Sequence, residues 1–248
     1  MLPCLSKASR GCSRRVGDYR YAGSELPLFE AAHNWKRYFR GFIEEYLQGH
    51  VLEVGAGLGA TTRLFADVRC AGWVCIEPDP MLAAQLRANV AGLPGRTVIV
   101  GTMAALDRTE RFDTVLYIDV LEHIADDRAE LAAVAAHLNP GGVIVLLAPA
   151  QPWLYSPFDR AVGHCRRYTK GTLARAVPAS LRQERLCYLD SAGLLASLGN
   201  RLMLRSRTPN AAQIRVWDRM LVPVSRWTDK ALGFKVGKSV VGVWRAPS

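Results

Sequence analysis

The sequence predicts an α/β fold, with a largely parallel sheet covered by helices on both faces. Strand-length apolar runs alternate with segments of helical periodicity, and the run at 51–54 passes through closely spaced glycines directly into a helix. The length of 248 residues, half of them hydrophobic, suits one domain with a sizeable core. Strands are predicted near 50–55, 73–77, 97–101, 113–118, 142–148, 183–190 and 238–245.

The first strand ends in a glycine turn, Val51–Gly59, with the sequence Val-Leu-Glu-Val-Gly-Ala-Gly-Leu-Gly. Glycine permits backbone conformations that a β-carbon forbids, and it lets the main chain approach a ligand closely. Gly55, Gly57 and Ala60 satisfy the dinucleotide pattern G-x-G-x-x-G/A. With Gly59, the same two glycines also satisfy the tighter pattern G-x-G-x-G. The turn predicts a nucleotide-like ligand and leaves nicotinamide, flavin and S-adenosylmethionine open.

Two acids accompany the turn. Glu53 can face the glycines and bind the cationic amino-acid end of adenosylmethionine, whereas it would repel a pyrophosphate; alternatively it accepts backbone hydrogen bonds. Glu77 ends the second strand about 20 residues further on, where a carboxylate reaches a ribose diol. Asp79 and Pro80 then begin a helix as N-cap and first helical residue. Glu77 supports a nucleotide site without naming the ligand.

Two later segments continue the alternation of strands and helices. Residues 112–124 (FDTVLYIDVLEHI) contain an apolar run suited to a strand buried on both faces, with Asp119 at its carboxyl end. Asp126–Leu138 has helical spacing, and Asn139–Gly142 is predicted to end that helix and turn into the fifth strand. The second segment, 138–148 (LNPGGVIVLLA), carries that strand.

Together with the glycine turn and Glu77, these segments resemble the class I S-adenosylmethionine-dependent methyltransferases. Asp119–His123 (D-V-L-E-H) is similar to a subgroup that methylates small molecules and lipids. The resemblance runs from about residue 21 to the end, and it implies a Rossmann-like, seven-stranded sheet of order 3-2-1-4-5-7-6 with the last strand antiparallel. It also implies S-adenosylmethionine as the cofactor, with adenine contacts just past the third strand. The expected cofactor-binding residues are Glu53, Gly55, Ala56, Gly57, Gly59, Glu77, Pro78, Thr102, Met103, Asp119 and Val120.

The remaining chain is divided by composition and length. We expect a basic, flexible tail over 1–20 and a single methyltransferase domain over 21–248, whose helix at 24–39 the resemblance places over the cofactor mouth. About 47 residues separate the last two strands, and we interpret 191–237 as a helical insertion near the acceptor site. Its apolar positions at helical spacing are Ile214, Trp217, Leu221, Val224 and Thr228, and Pro223 is expected to kink the run.

A polar and aromatic loop, Pro149–Thr169, follows the fifth strand over the crevice. His164 is the candidate general base or acceptor-orienting group, with Asp159 holding its imidazole; the alternative is a structural histidine. His123 is a second catalytic candidate, with support of its loop as the alternative.

Further residues are candidates for contact with the acceptor. Arg166 and Arg167 either clamp a phosphate or carboxylate, or pair with Asp159 or Glu122 and hold the loop. The other expected substrate contacts are Trp35, Tyr155 and Tyr168.

The formal net charge of +10 and the sequence pI of about 9.6 favour acidic partners. No recognisable nucleic-acid-binding module is present, so a nucleic-acid methyltransferase is a distant alternative. Basic residues around Trp217 and Trp227 fit peripheral contact with anionic lipid, or an ordinary arginine-rich surface. The six cysteines show no metal-type spacing, no metal site is evident, and we expect a cytoplasmic location.

The predicted activity is methyl transfer from S-adenosylmethionine to oxygen or nitrogen of a small-molecule or lipid-like acceptor, with an anionic acceptor favoured by the charge. Two alternatives stay open: a dinucleotide-dependent oxidoreductase on a similar sheet, and a non-catalytic module that binds adenosylmethionine or adenosylhomocysteine. The sequence names neither the acceptor nor the oligomeric state.

Overall fold

A computed structural model describes residues 19–23, 26–203 and 210–248, and it contains one seven-stranded sheet of order β3-β2-β1-β4-β5-β7-β6. The first five strands run parallel, whereas β7 pairs antiparallel with both β5 and β6. The predicted strand order and the antiparallel last strand are therefore confirmed. The strands are β1 (His50–Val54), β2 (Gly72–Glu77), β3 (Arg96–Val100), β4 (Phe112–Ile118), β5 (Leu138–Pro149), β6 (Arg182–Leu189) and β7 (Ser239–Arg245).

Helices cover both faces of the sheet, and the side chains of each strand alternate between two core clusters. Val51 of β1 and Leu116 of β4 face one cluster, whereas Leu52 and Tyr117 face the other. The helices are α1 (Leu26–Glu30), α2 (His33–Ile43), α3 (Ala60–Leu64), α4 (Pro80–Val90), α5 (Asp127–Ala135), α6 (Pro157–Ala161), α7 (Lys170–Ala176), α8 (Ser191–Met203), α9 (Ala211–Val216) and α10 (Val222–Ala231).

The start of β5 differs from the prediction. Asn139–Gly142 does not form a separating turn but lies inside the strand, whose pairing with β4 shifts register at this point. Gly141 has a φ of 73°, and Asn139 Nδ2 donates to Asp113 Oδ1 at 2.7 Å, so the strand bulges rather than breaks. The preceding helix, α5, consequently ends at Ala135 and not at Leu138.

The predicted helix over 24–39 is two helices, α1 and α2, separated at Ala31 and Ala32. A side chain that is distant in the sequence causes the second helix to begin here. Asp218 accepts hydrogen bonds from the backbone N–H groups of Asn34 at 3.2 Å and Trp35 at 2.9 Å, and so caps the start of α2. Residues 24 and 25, and the part of the predicted basic tail over 1–18, lie outside the described residues.

The late insertion is helical where it is described, and of its predicted apolar positions Ile214 is buried and Trp217 packs against the core, whereas Val224 is exposed. A π-helical turn, Trp217–Leu221, joins α9 to α10 just before Pro223. Because proline has no backbone N–H, the regular α-helical hydrogen bonding is interrupted at this point. The turn shifts the register, so that Val224 is 49% exposed. The buried positions of this run are Ile214, Asp218, Val222, Ser225 and Asp229.

The acids on this buried face are there because they accept hydrogen bonds. Asp229 accepts from the backbone N–H groups of Asp190 at 2.7 Å and Ser191 at 2.8 Å, and from the hydroxyl of Tyr38 at 2.8 Å. These contacts attach the insertion to the end of β6 and to α2. In the ranges 19–23, 26–203 and 210–248, no helix combines the length and apolar character needed to cross a membrane.

Candidate active site

A cavity of about 1270 Å³ opens at the carboxyl ends of the parallel strands. This is the edge of an open α/β sheet at which ligands bind. Its wall includes the glycine turn on one side, the loop after β5 on the other, and the late helices above. The cavity thus joins the predicted cofactor residues to the predicted catalytic histidines.

The glycine turn has the backbone geometry that only glycine adopts readily. Gly55, Gly57 and Gly59 have φ values of 68°, 55° and 78°. A β-carbon at Gly55 would lie 2.7 Å from Cγ2 of Val120, so the turn also packs closely against the loop after β4. Gly55, Ala56, Gly57 and Val120 line the cavity, whereas Gly59 lies behind it as the residue before α3.

Glu53 lies beneath the turn and lines the cavity, although only 3% of its surface is exposed. Its Oε2 accepts hydrogen bonds from Oγ1 of Thr62 at 2.6 Å and Nε1 of Trp73 at 2.9 Å. Burial raises its pKa to about 7, against the opposing effect of those hydrogen bonds. The carboxyl group is therefore held by side chains rather than by the backbone of the turn, and a nearby cation would favour its ionised form.

Glu77 connects the glycine turn to the start of α4. Its Oε2 accepts from the N–H of Gly57 at 2.8 Å, and its Oε1 accepts from the N–H of Asp79 at 2.9 Å. Burial raises its pKa. Each carboxylate oxygen has a second lone pair, so the group can still accept from two hydroxyls of a ligand in the cavity that it lines together with Pro78.

Asp79 caps α4, as predicted, by accepting from the N–H of Met81 at 2.8 Å. It also accepts from the N–H of Tyr21 at 2.8 Å. This bond brings segment 19–23 to the mouth of the cavity, which Tyr19 and Tyr21 line.

Thr102 and Met103 lie apart from this cavity. They line a separate hollow of about 600 Å³ together with Ile124 and Asp126. Asp119 and Val120, by contrast, line the main cavity with Ile118. Of the predicted cofactor residues beyond the glycine turn, the structure therefore brings together those after β2 and β4 but not those after β3.

Asp119 follows the buried strand β4, inside the molecule. Its side chain is still accessible because it faces the cavity rather than the outer surface. Its φ of 54° is unusual for a residue with a side chain. Burial raises its pKa to about 6, against the attraction of the positive charges of His164, Lys238 and Arg167. The carboxyl group is thus ready to change its ionisation when a charged ligand enters.

His164 lines the cavity and is oriented by Asp159, as the sequence suggested. Its Nδ1 lies 2.9 Å from Oδ1 of Asp159, and its Nε2 lies 3.7 Å from Oε1 of Glu122. The ring also meets that of His123 edge-on, with centroids 4.7 Å apart. The Asp159–His164 pair therefore leaves Nε2 as the ring nitrogen available for proton transfer.

The acids and the histidine of this cluster have pKa values that are shifted in different directions. Burial alone would raise the pKa of Asp159, but hydrogen bonding by His164 and the charge of Arg167 outweigh it and hold the pKa well below its usual range. Burial raises the pKa of Glu122 far above its usual value, and the charge of Asp119 adds to the effect. Burial, with His164 nearby, lowers the pKa of His123 to about 3. Asp159 is consequently an anion, and His123 is a neutral imidazole.

The same cluster includes one set of groups able to hold a cation. Both carboxylate oxygens of Glu122 are buried without a hydrogen-bond partner, and ligand atoms of Glu122, His123 and His164 all lie within 4.8 Å of one another. The sequence analysis found no metal site, because His164 is distant along the chain from the other two residues. The one sequence signal is the adjacency of Glu122 and His123 at the carboxyl end of β4.

The two predicted arginine clamps are engaged in the protein. Arg167 donates Nε to Oδ1 of Asp159 at 2.8 Å and Nη2 to Oδ2 at 3.1 Å, so the alternative of a structural ion pair holds for it. Arg166 pairs with Asp127 at 2.7 Å, outside the cavity lining. Each guanidinium already has an acidic partner in the protein, so neither is left over for an anionic acceptor.

The three aromatic candidates for substrate contact differ in their surroundings. Tyr155 donates to the carbonyl of His164 at 2.6 Å, and buried Tyr168 donates to Oδ2 of Asp127 at 2.7 Å. Both support the loop from outside the cavity lining. Trp35 does line the cavity, with its ring 5.8 Å from that of Trp217.

Lys238 and Trp217 line the cavity and were not among the predicted site residues. Lys238 is one of many basic residues in the last part of the sequence, so composition alone does not single it out. A signal was present: in an antiparallel last strand, the residue just before the strand reaches the same sheet edge as the carboxyl ends of the parallel strands.

Comparison with known proteins agrees with this geometry. A family model described as "Methyltransferase domain" matches residues 31–194. A ubiquinone biosynthesis O-methyltransferase of Rhodopseudomonas palustris (strain HaA2) is 33% identical over 109 residues, which are 42% of this chain and 41% of the relative. Another, from Paramagnetospirillum magneticum, is 36% identical over 96 residues, 38% of each chain. The matched part thus spans about two fifths of the length of these relatives.

Solved structures share the fold. The N-methyltransferase NodS from Bradyrhizobium japonicum, in complex with S-adenosyl-L-homocysteine, has a TM-score of 0.56 and 15% identity, with coverage of 91% of this chain and 90% of NodS. The YcgJ protein of Bacillus subtilis has a TM-score of 0.57 and 15% identity, over 87% and 99% of the two chains. With the family match and the site geometry, these findings show that the chain belongs to the class I S-adenosylmethionine-dependent methyltransferases.

Proposed function

We propose that the protein transfers the methyl group of S-adenosylmethionine to a hydroxyl oxygen of a small-molecule or lipid-like acceptor, with His164 as the general base. The observation that carries this proposal is the Asp159–His164 pair, whose histidine lines the same cavity as the glycine turn. A hydroxyl acceptor needs a base near neutral pH, whereas an amine can react without one. The printed names of the relatives, O-methyltransferases of ubiquinone biosynthesis, support the same choice.

The reaction is a single displacement. The bond between the methyl carbon and the sulfonium sulfur breaks as the bond to the acceptor oxygen forms, and the sulfur keeps the electron pair as a neutral thioether. The hydroxyl proton passes to Nε2 of His164, because the Asp159 carboxylate fixes the other ring proton on Nδ1. Holding the two reactants in line can lower the barrier by about 7–11 kcal/mol at most.

For the cofactor, we propose that Glu77 accepts from the ribose hydroxyls and that Glu53 attracts the amino-acid end. Both acids line the cavity beside the glycine turn. Asp119 and Val120 continue the same wall toward the acceptor. Adenine contacts by Thr102 and Met103 stay a prediction.

For His123 we propose support of the site rather than proton transfer. Its lowered pKa makes it a weak base, and its ring contacts those of Tyr21 and His164.

Catechol and 1,2-diaminobenzene form a matched pair of probes for this proposal. With methyl-labelled S-adenosylmethionine, we expect label in catechol and little in the diamine. Preferred methylation of the diamine, or adenosylmethionine binding without turnover of any hydroxyl acceptor, would contradict the proposal; the second result would indicate a non-catalytic binding module.

We also propose that the late helices contact an anionic membrane surface, which suits a lipid-like acceptor. Met220, Val224 and Trp227 are 64%, 49% and 80% exposed along one stretch of the helical run. Exposed basic residues, among them Arg219 and Arg226, accompany them. Cosedimentation with phosphatidylglycerol vesicles should fall in a Trp227→Ser variant. Equal binding to phosphatidylcholine vesicles would exclude an electrostatic contribution. The cytoplasmic location stays a prediction.

A further inference from the structure

Lys238 places a positive charge at the wall of the cavity. It precedes β7, and its backbone is fixed by hydrogen bonds to Asp190 at 3.2 Å and Ala150 at 2.7 Å. Its side chain lines the cavity, yet within the described residues its ammonium forms no salt bridge. An ammonium that is partly withdrawn from water is costly unless it is paired, so this arrangement favours a ligand that supplies negative charge.

The position of Lys238 in the sheet assigns it to the acceptor end. Along the sheet edge, Glu77 ends β2, Gly55 follows β1, Asp119 follows β4, and Lys238 directly precedes β7, which lies beyond β5. Adjacent strands lie about 4.8 Å apart, so roughly 19 Å separate the strand of Glu77 from that of Lys238. The ribose acid and the lysine are therefore at opposite ends of the cavity.

The ammonium is held in place by a buried network. Its Nζ lies 4.9 Å from the centroid of the Trp217 ring, a cation–π contact. Nε1 of Trp217 donates to Oδ2 of Asp190 at 2.8 Å, while Ser225 donates to Oδ1 of the same carboxylate at 2.7 Å. Asp190 thus orients the indole, and the indole in turn positions the lysine.

Three carboxylates lie near the ammonium and attract it, and two of them are engaged by other side chains. Asp159 is engaged by Arg167 and His164, and Asp190 by Trp217 and Ser225. Asp119 faces the cavity but makes no salt bridge with the lysine. Among the described residues, Lys238 is thus a cavity-lining cation without a salt bridge, and it can meet an anionic ligand, a role that was one of two alternatives for Arg166 and Arg167.

We propose that Lys238 binds a carboxylate of the acceptor and so selects hydroxylated aromatic acids over neutral phenols. The proposal rests on the proposed function, since it assumes that the far end of the cavity holds the acceptor. An aromatic acid fits the wall formed here by Trp217 and Trp35, whose rings contact each other at an angle of 49° and line the same cavity. The carboxylate meets the ammonium and the ring packs against the indoles.

Binding of two probes to the protein saturated with S-adenosylhomocysteine tests this inference. 3,4-Dihydroxybenzoate and catechol differ only in the carboxylate, and calorimetry gives a dissociation constant for each. We expect wild-type protein to prefer the acid, and Lys238→Met to weaken its binding by about 10- to 100-fold while leaving catechol binding unchanged, the range typical of a charged hydrogen bond. Lys238→Arg should recover part of the preference.

Lys235→Met is the matched control, because Lys235 lies in the same loop but is exposed. It should behave as wild type. A wild-type protein that binds both probes equally overturns the inference, as does a Lys238→Met variant that keeps the preference. If Lys238→Met instead weakens S-adenosylhomocysteine, the ammonium serves the cofactor and the inference is wrong. Failure of the proposed function has a separate sign: carboxylate preference without methyl transfer to either probe.

Discussion

The imidazole Nδ1 of His164 lies 2.9 Å from Oδ1 of Asp159, and Arg167, which follows His164 in the same loop, pairs with that carboxylate as well. One buried aspartate therefore orients the proposed base and anchors the loop that carries it. The backbones of the two residues are also joined, because the N–H of His164 donates to the carbonyl of Asp159 at 2.8 Å.

Replacing His164 by alanine should lower kcat by about 10²- to 10⁴-fold, the usual contribution of a general base. Affinity for S-adenosylhomocysteine should stay within about twofold, because the glycine turn and Glu77 are untouched. His33→Ala is the control, since His33 is exposed on α2. Steady-state kinetics and calorimetry together check the prediction; an equal loss in both quantities would make His164 structural.

Glu77→Ala should weaken S-adenosylmethionine binding by about 1–3 kcal/mol, because charged hydrogen bonds to the ribose are lost. Glu77 also accepts from the N–H of Gly57, so part of any loss comes from the turn itself. Glu77→Gln separates the two effects, since its amide oxygen can still accept from that N–H. Calorimetric titration of both variants should show a smaller loss for glutamine than for alanine, and unchanged affinity in both would exclude the ribose contact.

Gly55→Ala should cost both stability and cofactor affinity. The β-carbon would lie 2.7 Å from Val120 on a backbone with φ of 68°. Gly95→Ala is a closely matched control, because its φ is 69° but no atom lies within 4 Å of the added carbon. Backbone strain alone costs about 1–3 kcal/mol and should appear in the unfolding free energy of both variants. Only Gly55→Ala should also lose affinity for S-adenosylhomocysteine; loss in both would assign the effect to strain.

Acid should destabilise the protein partly through Asp159. Its pKa is lower in the folded protein than the value of about 3.9 of an unfolded aspartate, so its contribution is present above that pH and is lost as the pH falls. The unfolding free energy of wild type, measured by denaturant titration between about pH 3 and 7, should drop more steeply below about pH 4 than that of Asp159→Asn. Parallel curves would show that the pairing with His164 and Arg167 adds no net stability.

The sheet could be predicted from the sequence because its signals are local. Strand-length apolar runs, the glycine turn and the helix cap at Asp79 each need only a few neighbouring residues. The exceptions depend on distant partners. The break between α1 and α2 requires Asp218 to cap α2, and the buried face of α10 requires hydrogen bonds from Tyr38 and Ser191 to Asp229.

The site shows the same division. The glycine turn, Glu53, Glu77, Asp119 and His164 follow strands or loops whose place at the sheet edge is implied by the fold, and the structure brings them to one cavity. The roles of the charged groups did not follow, because an ion pair depends on which partner lies nearest in space. Arg167 pairs with Asp159, whereas Lys238 lines the cavity without a salt bridge to any described residue.

Calorimetric titration of the purified protein with S-adenosylhomocysteine and with NAD⁺ tests the central claim most directly. The account predicts a dissociation constant in the micromolar range for S-adenosylhomocysteine, loss of that affinity in Glu77→Ala, and no binding of the dinucleotide. Binding of NAD⁺ without S-adenosylhomocysteine would contradict it, because the glycine turn would then hold a pyrophosphate beside Glu53.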